Sequence, residues 1–153
     1  MAGAVRATLS GQSLHLGPGQ IVKIKVLLAD DSDVMRSAMR RTLQEEPRIE
    51  VVGEASSFAK TMQMIADSKP DVLLLDLHLA QKREFAPSFV KSQLVGVRNV
   101  VAVSFSTDDE AKDLARSYGA FALLDKMNLY HDMIPTIMQC SIDGSPRRCS
   151  APA

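Results

Sequence analysis

Five polar residues, each standing at the end of a short apolar run, constrain this chain more than any other feature. Asp30 and Asp31 follow Ile24-Lys25-Val26-Leu27-Leu28-Ala29, and Asp76 follows Val72-Leu73-Leu74-Leu75. Ser104 follows Val100-Val101-Ala102-Val103, and Lys126 lies just beyond Phe121-Ala122-Leu123-Leu124. Runs of four to six apolar residues read as strands buried on both faces, the mark of a parallel sheet. In open α/β sheets ligands bind outside the carboxyl ends of the strands. Three carboxylates, a hydroxyl and an ammonium spread over about a hundred residues are therefore expected to converge on one site.

The rest of the chain supports a parallel sheet covered by helices. A strand near 22–29 leads into a helix near 33–45, with Ser32 or Asp33 as cap. On it, Val34 with Ala38 and Met35 with Met39 are spaced i, i+4. Ile49–Val52 reads as a second strand closed by Gly53. Phe58, Met62 and Ile65 stripe a second helix capped by Ser56 or Ser57, which Lys69-Pro70 breaks. Pro87 suits a first helical turn, and Phe89, Val90 and Leu94 would then face the sheet. After the strand at 99–104, Thr107-Asp108-Asp109-Glu110 opens an acidic helix start, followed by Ala111, Leu114, Ala115 and Tyr118 as its stripe. Met133, Ile134, Ile137 and Met138 mark a last helix with Pro135 near its start. The alternation is (βα)5, a doubly wound α/β arrangement with helices on both faces.

At 153 residues this is one domain, expected over 21–142. Residues 1–20, rich in small and polar residues, are expected to form a flexible arm, and 143–153 a flexible tail. Eighteen basic residues balance eighteen acidic ones, so bulk charge advertises neither a nucleic-acid nor a membrane surface. No apolar stretch is long enough for a transmembrane span, and the N-terminus lacks a secretory apolar core, so a cytoplasmic location is expected. Cys140 and Cys149, near or in the tail, read as incidental thiols, and the eight methionines as core filler.

The chemistry of the strand ends is specific. Carboxylates crowded at neighbouring strand ends repel each other, and a divalent cation removes that repulsion. Mg2+ prefers hard oxygen ligands and combines one or two carboxylates with phosphate oxygens. Lys126 offers a fixed positive charge and Ser104 a hydroxyl donor where charge develops on a transferring phosphoryl group. Asp76, alone on the central run, is the natural carboxylate nucleophile.

From Lys23 to about Ser141 the chain resembles a response-regulator receiver domain of two-component signalling, most like receivers of the NarL/LuxR type. The resemblance rests on Val26–Ser32, Pro70–Leu79, Val101–Ser104 and Gly119–Lys126, with 45, 28 and 22 residues separating Asp31, Asp76, Ser104 and Lys126 in turn. It implies a flavodoxin-like parallel sheet in order 2-1-3-4-5. It further implies that Asp76 accepts a phosphoryl group from a histidine kinase or phosphotransfer protein. Asp31 would bind Mg2+ directly, Asp30 largely through water, and Asp76 and the backbone carbonyl of His78 would complete the protein ligands. Lys126 and Ser104 would hold phosphoryl oxygens, and the inward movement of Ser104 would shift the face made by the fourth helix, fifth strand and fifth helix. Such a module is a switch rather than an enzyme, apart from self-phosphorylation and slow dephosphorylation. It would bind a downstream protein through that face and contact no nucleic acid or membrane itself, with a homodimer left open.

Five departures from the family pattern stand out. Leu123 replaces the usual aromatic three before the lysine, and Phe105 replaces the small residue after Ser104, where it is expected to restrict access to Asp76 or the travel of Ser104. Met127 replaces the Pro that follows the lysine. Ala80 and Glu84 replace a Pro and a Gly after Asp76, which makes Gln81-Lys82-Arg83-Glu84 a reshaped, charged loop. The side chain of His78 is expected at the pocket rim. Two rival readings stay open. Asp31-Ser32-Asp33-Val34 matches the opening of haloacid-dehalogenase-like phosphatases, with Asp31 as nucleophile and Asp33 as acid/base. A receiver-like interaction module that needs no phosphorylation is the other. After Ser141 the sequence has no room for an output domain, which fits a stand-alone receiver or a piece of a longer regulator.

Overall fold

A computed structural model of the chain describes residues 22–82 and 84–143, together with the backbone of two strands, β1 (Val5–Leu9) and β2 (Gln12–Leu16). The remaining elements follow in the order β3 (Ile24–Ala29), α1 (Asp33–Gln44), β4 (Ile49–Ala55), α2 (Phe58–Ser68), β5 (Val72–Asp76), α3 (Leu77–Gln81), α4 (Pro87–Gln93), β6 (Asn99–Ser104), α5 (Asp109–Ser117), β7 (Ala122–Asp125), a 3₁₀ turn over Lys126–Asn128, and α6 (Leu129–Asp143). Five parallel strands form one sheet in the order β4-β3-β5-β6-β7. Counted within that sheet alone, this is the expected 2-1-3-4-5.

Alternation along each strand sends side chains to opposite faces. Leu27, Ala29, Leu73 and Leu75 join one core with Phe58 and Ile65 of α2, Val90 of α4, and Ala111 and Ala115 of α5. Val26, Leu28, Val72 and Leu74 join the other with Met39 and Leu43 of α1, and Met133, Ile137 and Cys140 of α6. Six of the eight methionines pack in or against these clusters, as filler. Cys140 is a core residue of α6, while Cys149 lies outside the described residues; of the tail expected over 143–153, Asp143 ends α6 and residues 144–153 lie outside the described residues.

The helix starts follow the side-chain caps in the sequence. Ser32, Ser57 and Asp108 accept from the amides of Met35, Lys60 and Ala111. Lys69 closes α2 in the left-handed region, and Gly119, at φ 78°, follows α5.

Several expectations are corrected. Residues 1–20 are not devoid of regular structure, because β1 and β2 pair antiparallel with Val5 opposite Leu16 and Ala7 opposite Leu14. The period-2 recurrence of apolar residues at 5, 7 and 9, and again at 14 and 16, is the signal that was missed. Gly53 does not close the second strand of the sheet. β4 runs on to Ala55 across a register shift between Val26 and Leu27, and a Cβ at Gly53 would meet Leu27 at 3.2 Å. On α1 only the Met35–Met39 stripe turns inward, and Val34 remains 81% exposed. Phe89 is also exposed, while its neighbour Val90 is buried. Pro135 lies well inside α6, on its exposed side, because the helix begins at Leu129, directly after the 3₁₀ turn.

The stretch after Asp76 is not all loop. Its first five residues form α3, whose Leu77, Leu79 and Ala80 are buried. Glu84, where the family pattern has Gly, adopts φ 54°, and its amide donates to the carbonyl of Gln81 at 2.8 Å. An L residue there bears a steric penalty of about 1–2 kcal/mol that glycine avoids. Greater unfolded-state freedom of glycine offsets about half of it. Glu84→Gly is therefore expected to raise urea-unfolding stability by about 0.5 kcal/mol, and Glu84→Ala to give no gain; equal behaviour of the two variants would contradict this account.

Candidate functional site

The sheet brings the predicted strand-end residues together. Ala29 pairs with Leu75, so Asp30 and Asp76 leave adjacent strands at one level. Asp76 pairs with Val103, and Ser104 with Asp125, which puts Ser104 and Lys126 one step further along the same edge. These residues line one open cleft with Asp31, Ser32, Met35, His78, Gln81, Phe105 and Ser106. Oxygens of Asp30, Asp31 and Asp76 all lie within 4.8 Å of one another.

Asp30 is fully buried and Asp76 is 3% exposed, whereas Asp31 opens to solvent. Oδ1 of Asp30 accepts from the Ser32 amide at 2.9 Å, and its backbone carbonyl accepts from the Arg36 guanidinium. Lys126 Nζ lies 2.6 Å from Asp30 Oδ2 and 3.4 Å from Asp76 Oδ2. At 2.6 Å the Lys126 ammonium is the partner of the buried Asp30 Oδ2, which accepts no other hydrogen bond.

On Asp76, Oδ1 accepts from the His78 amide at 3.1 Å and so caps α3. Burial pushes the Asp76 carboxyl above its ordinary range; Lys126 opposes that shift and Asp30 adds to it. Asp31 moves the other way, held below its ordinary range mainly by its hydrogen bond from Lys82; desolvation opposes this, and the charges of Lys82, His78 and Lys126 add to it.

Ser104 Oγ accepts from the Ser106 amide at 3.1 Å, and Lys126 Nζ lies 5.0 Å from the centroid of the Phe105 ring, a cation–π contact. Phe105, 65% exposed, thus roofs the lysine at the cleft rim and does not plug the core. Leu123 is buried in one of the two cores, Met127 is exposed, and no cis peptide occurs among the described residues. His78 lines the cleft from the first turn of α3.

Two contributors escaped the sequence reading. Lys82, at the end of α3, reaches Asp31 Oδ2 with Nζ at 3.2 Å. Its only signal was membership of the charged stretch after Asp76. Arg36 braces the Asp30 backbone and also pairs with Asp33 and Glu54. Its i, i+3 spacing from Asp33 was legible; its reach to Asp30 was not.

The family model for the response regulator receiver domain matches residues 26–137. This chain belongs to that family. Among curated relatives, protein-glutamate methylesterase/protein-glutamine glutaminase 2 of Cereibacter sphaeroides is 33% identical over 133 residues, covering 84% of this chain and 36% of that protein. Transcriptional regulatory protein LiaR of Bacillus subtilis is 30% identical over 125 residues, covering 81% of this chain and 58% of that one. The chain thus spans only about a third to three fifths of these relatives. Among solved structures, the receiver domain of the response regulator NarL from Mycobacterium tuberculosis superimposes with a TM-score of 0.68 at 25% identity, over 78% of this chain and 97% of that one. The response regulator domain of Thermotoga maritima CheB gives 0.66 at 21% identity, over 77% and 96%. Receivers of the NarL/LuxR and CheB kinds are therefore both structural neighbours of this receiver. No helix among the described residues is long and apolar enough to cross a membrane.

Proposed function

We propose that this receiver is a phosphorylation-activated switch over residues 21–142, acting in the cytoplasm, with Asp76 as phosphoacceptor. The observation that carries the reading is the buried triangle of Asp30, Asp76 and Lys126 beside the more open Asp31, with oxygens of the three aspartates within 4.8 Å of one another. The donor set is all hard oxygen and suits Mg2+. Asp30, Asp31 and Asp76 would hold it, with the His78 backbone carbonyl as the remaining protein donor. When bound, Mg2+ neutralises charge on the phosphoryl oxygens.

An Asp76 oxygen attacks the phosphorus of a phosphohistidine; the new O–P bond forms as the P–N bond breaks, and its electron pair leaves on the imidazole nitrogen. Lys126 is already placed against Asp76 to meet one phosphoryl oxygen. Ser104 reaches another by exchanging its Ser106 contact for the phosphoryl group. That exchange biases the face built from α5, β7 and α6, where a downstream protein partner would bind. Phe105, lying over Lys126, narrows the approach.

Beryllofluoride mimics the phosphoryl group and makes this testable by fluorine NMR. Protein-bound fluoride resonances are expected only with Mg2+ and are expected to vanish on chelation. A folded, Mg2+-saturated protein showing no bound resonance would instead support the phosphorylation-independent interaction module.

A further inference from the structure

The charge balance around Asp31 contains one cation that the phosphoryl chemistry does not use. Three carboxylates meet here, and Lys126 sits between Asp30 and Asp76, the two buried ones. Asp31 is served by Lys82, 51 residues away in sequence, which α3 delivers to the cleft mouth. α3 is itself tied to the site, since Asp76 caps it and its Leu77, Leu79 and Ala80 are buried. The root of Lys82 is thereby anchored to the residue whose neighbour it neutralises, while its side chain stays 59% exposed and free to swing away.

We propose that Lys82 is an internal counter-cation of Asp31 that a divalent metal must displace, and so sets the metal affinity of this receiver. This rests on the assignment of Asp31 as a metal ligand. An ammonium and a hard dication compete for the same carboxylate oxygens, and both cannot lie against Asp31 Oδ2 without mutual repulsion. The displaced lysine remains on a short helix at the rim, so it weakens metal binding both by the contact given up and by its residual charge. Because the pair is partly exposed, the effect is modest and salt-dependent: removal of Lys82 tightens metal binding about threefold to fivefold at low ionic strength, and less at high salt.

The test is Mn2+ binding to the full chain, read by electron paramagnetic resonance of free Mn2+ and by calorimetry, in the absence of any phosphoryl donor. Lys82→Ala and Lys82→Gln are expected to tighten binding by that factor, Lys82→Arg to stay near wild type, and Lys82→Glu to tighten it further. Lys23→Ala, which removes an equal charge beside the opposite end of β3, is expected to change nothing. Equal affinities for wild type and Lys82→Ala, or an equal gain in Lys23→Ala, would overturn the proposal. Absence of Mn2+ binding in every protein, wild type included, would overturn the metal-site reading beneath it.

Discussion

Lys126→Ala is expected to cost about 3–5 kcal/mol of folding stability at neutral pH in metal-free buffer, the range for stripping one partner from a buried ion pair. The side chains of Lys126, Asp30 and Asp76 are all nearly inaccessible to water. Lys126 approaches Asp30 at 2.6 Å and Asp76 at 3.4 Å, so its loss leaves two buried carboxylates facing one another. Arg36 cannot take its place, because it is committed to the Asp30 carbonyl, Asp33 and Glu54. Two features separate this loss from a simple packing defect. Millimolar Mg2+ is expected to restore part of the stability, by binding the folded state alone. Acidification is expected to shrink the deficit, because protonation removes the repulsion. Urea titrations with EDTA and with Mg2+ would show both. A loss below about 1 kcal/mol, unaffected by Mg2+, would mean that the triangle does not hold the site together.

Asp76→Asn is expected to have opposite effects on stability and function. The Asp76 carboxyl is raised by burial, with Asp30 adding to the shift, so its charged form is disfavoured in the folded state. The folded protein then holds this proton more tightly than the unfolded chain does. In the window from the unfolded value, about 4, up to the raised folded one, stability falls as pH rises. Above the raised folded value the whole penalty is present, and a neutral amide of the same shape removes it. Asp76→Asn is expected to gain roughly 1 kcal/mol at neutral pH in metal-free buffer, the gain fading as pH drops below both values. The same variant loses its acceptor oxygen and with it all phosphoryl uptake. A variant less stable than wild type at neutral pH would show that the Lys126 contact outweighs burial. This is the stability–function trade-off expected of a site that holds charge in a buried place.

What the sequence disclosed follows from which signals are local. Each buried strand is a run such as Val72-Leu73-Leu74-Leu75, and each residue at its end is carried to the same edge of the sheet by parallel topology alone. Hence Asp30, Asp31, Asp76, Ser104 and Lys126 were readable, as were a serine cap at 56 or 57 and the acidic helix start over 107–110. The inward stripe of α1 was not, because Val34–Ala38 and Met35–Met39 are equally periodic and lie one residue apart. Which of them faces the sheet depends on how the chain leaves Asp30. Gly53 is ambiguous in the same way, since glycine ends strands and also occupies bulges inside them. α3 has five residues, too few for a helical period, and is held by burial of Leu77 and Leu79 and by the Asp76 cap. Lys82 was invisible because its partner is 51 residues away, and only the path of α3 brings the two together.

The most direct test of the central claim is phosphoryl transfer itself. The full chain is incubated with Mg2+ and a small acyl phosphate, and intact mass spectrometry is followed by peptide mapping. One hydroxylamine-labile phosphoryl group per chain is expected, on Asp76, absent after chelation and absent from Asp76→Asn. No uptake by folded, Mg2+-loaded protein would contradict the account, and so would label that persists in Asp76→Asn and maps to Asp31, as the phosphatase-like reading requires.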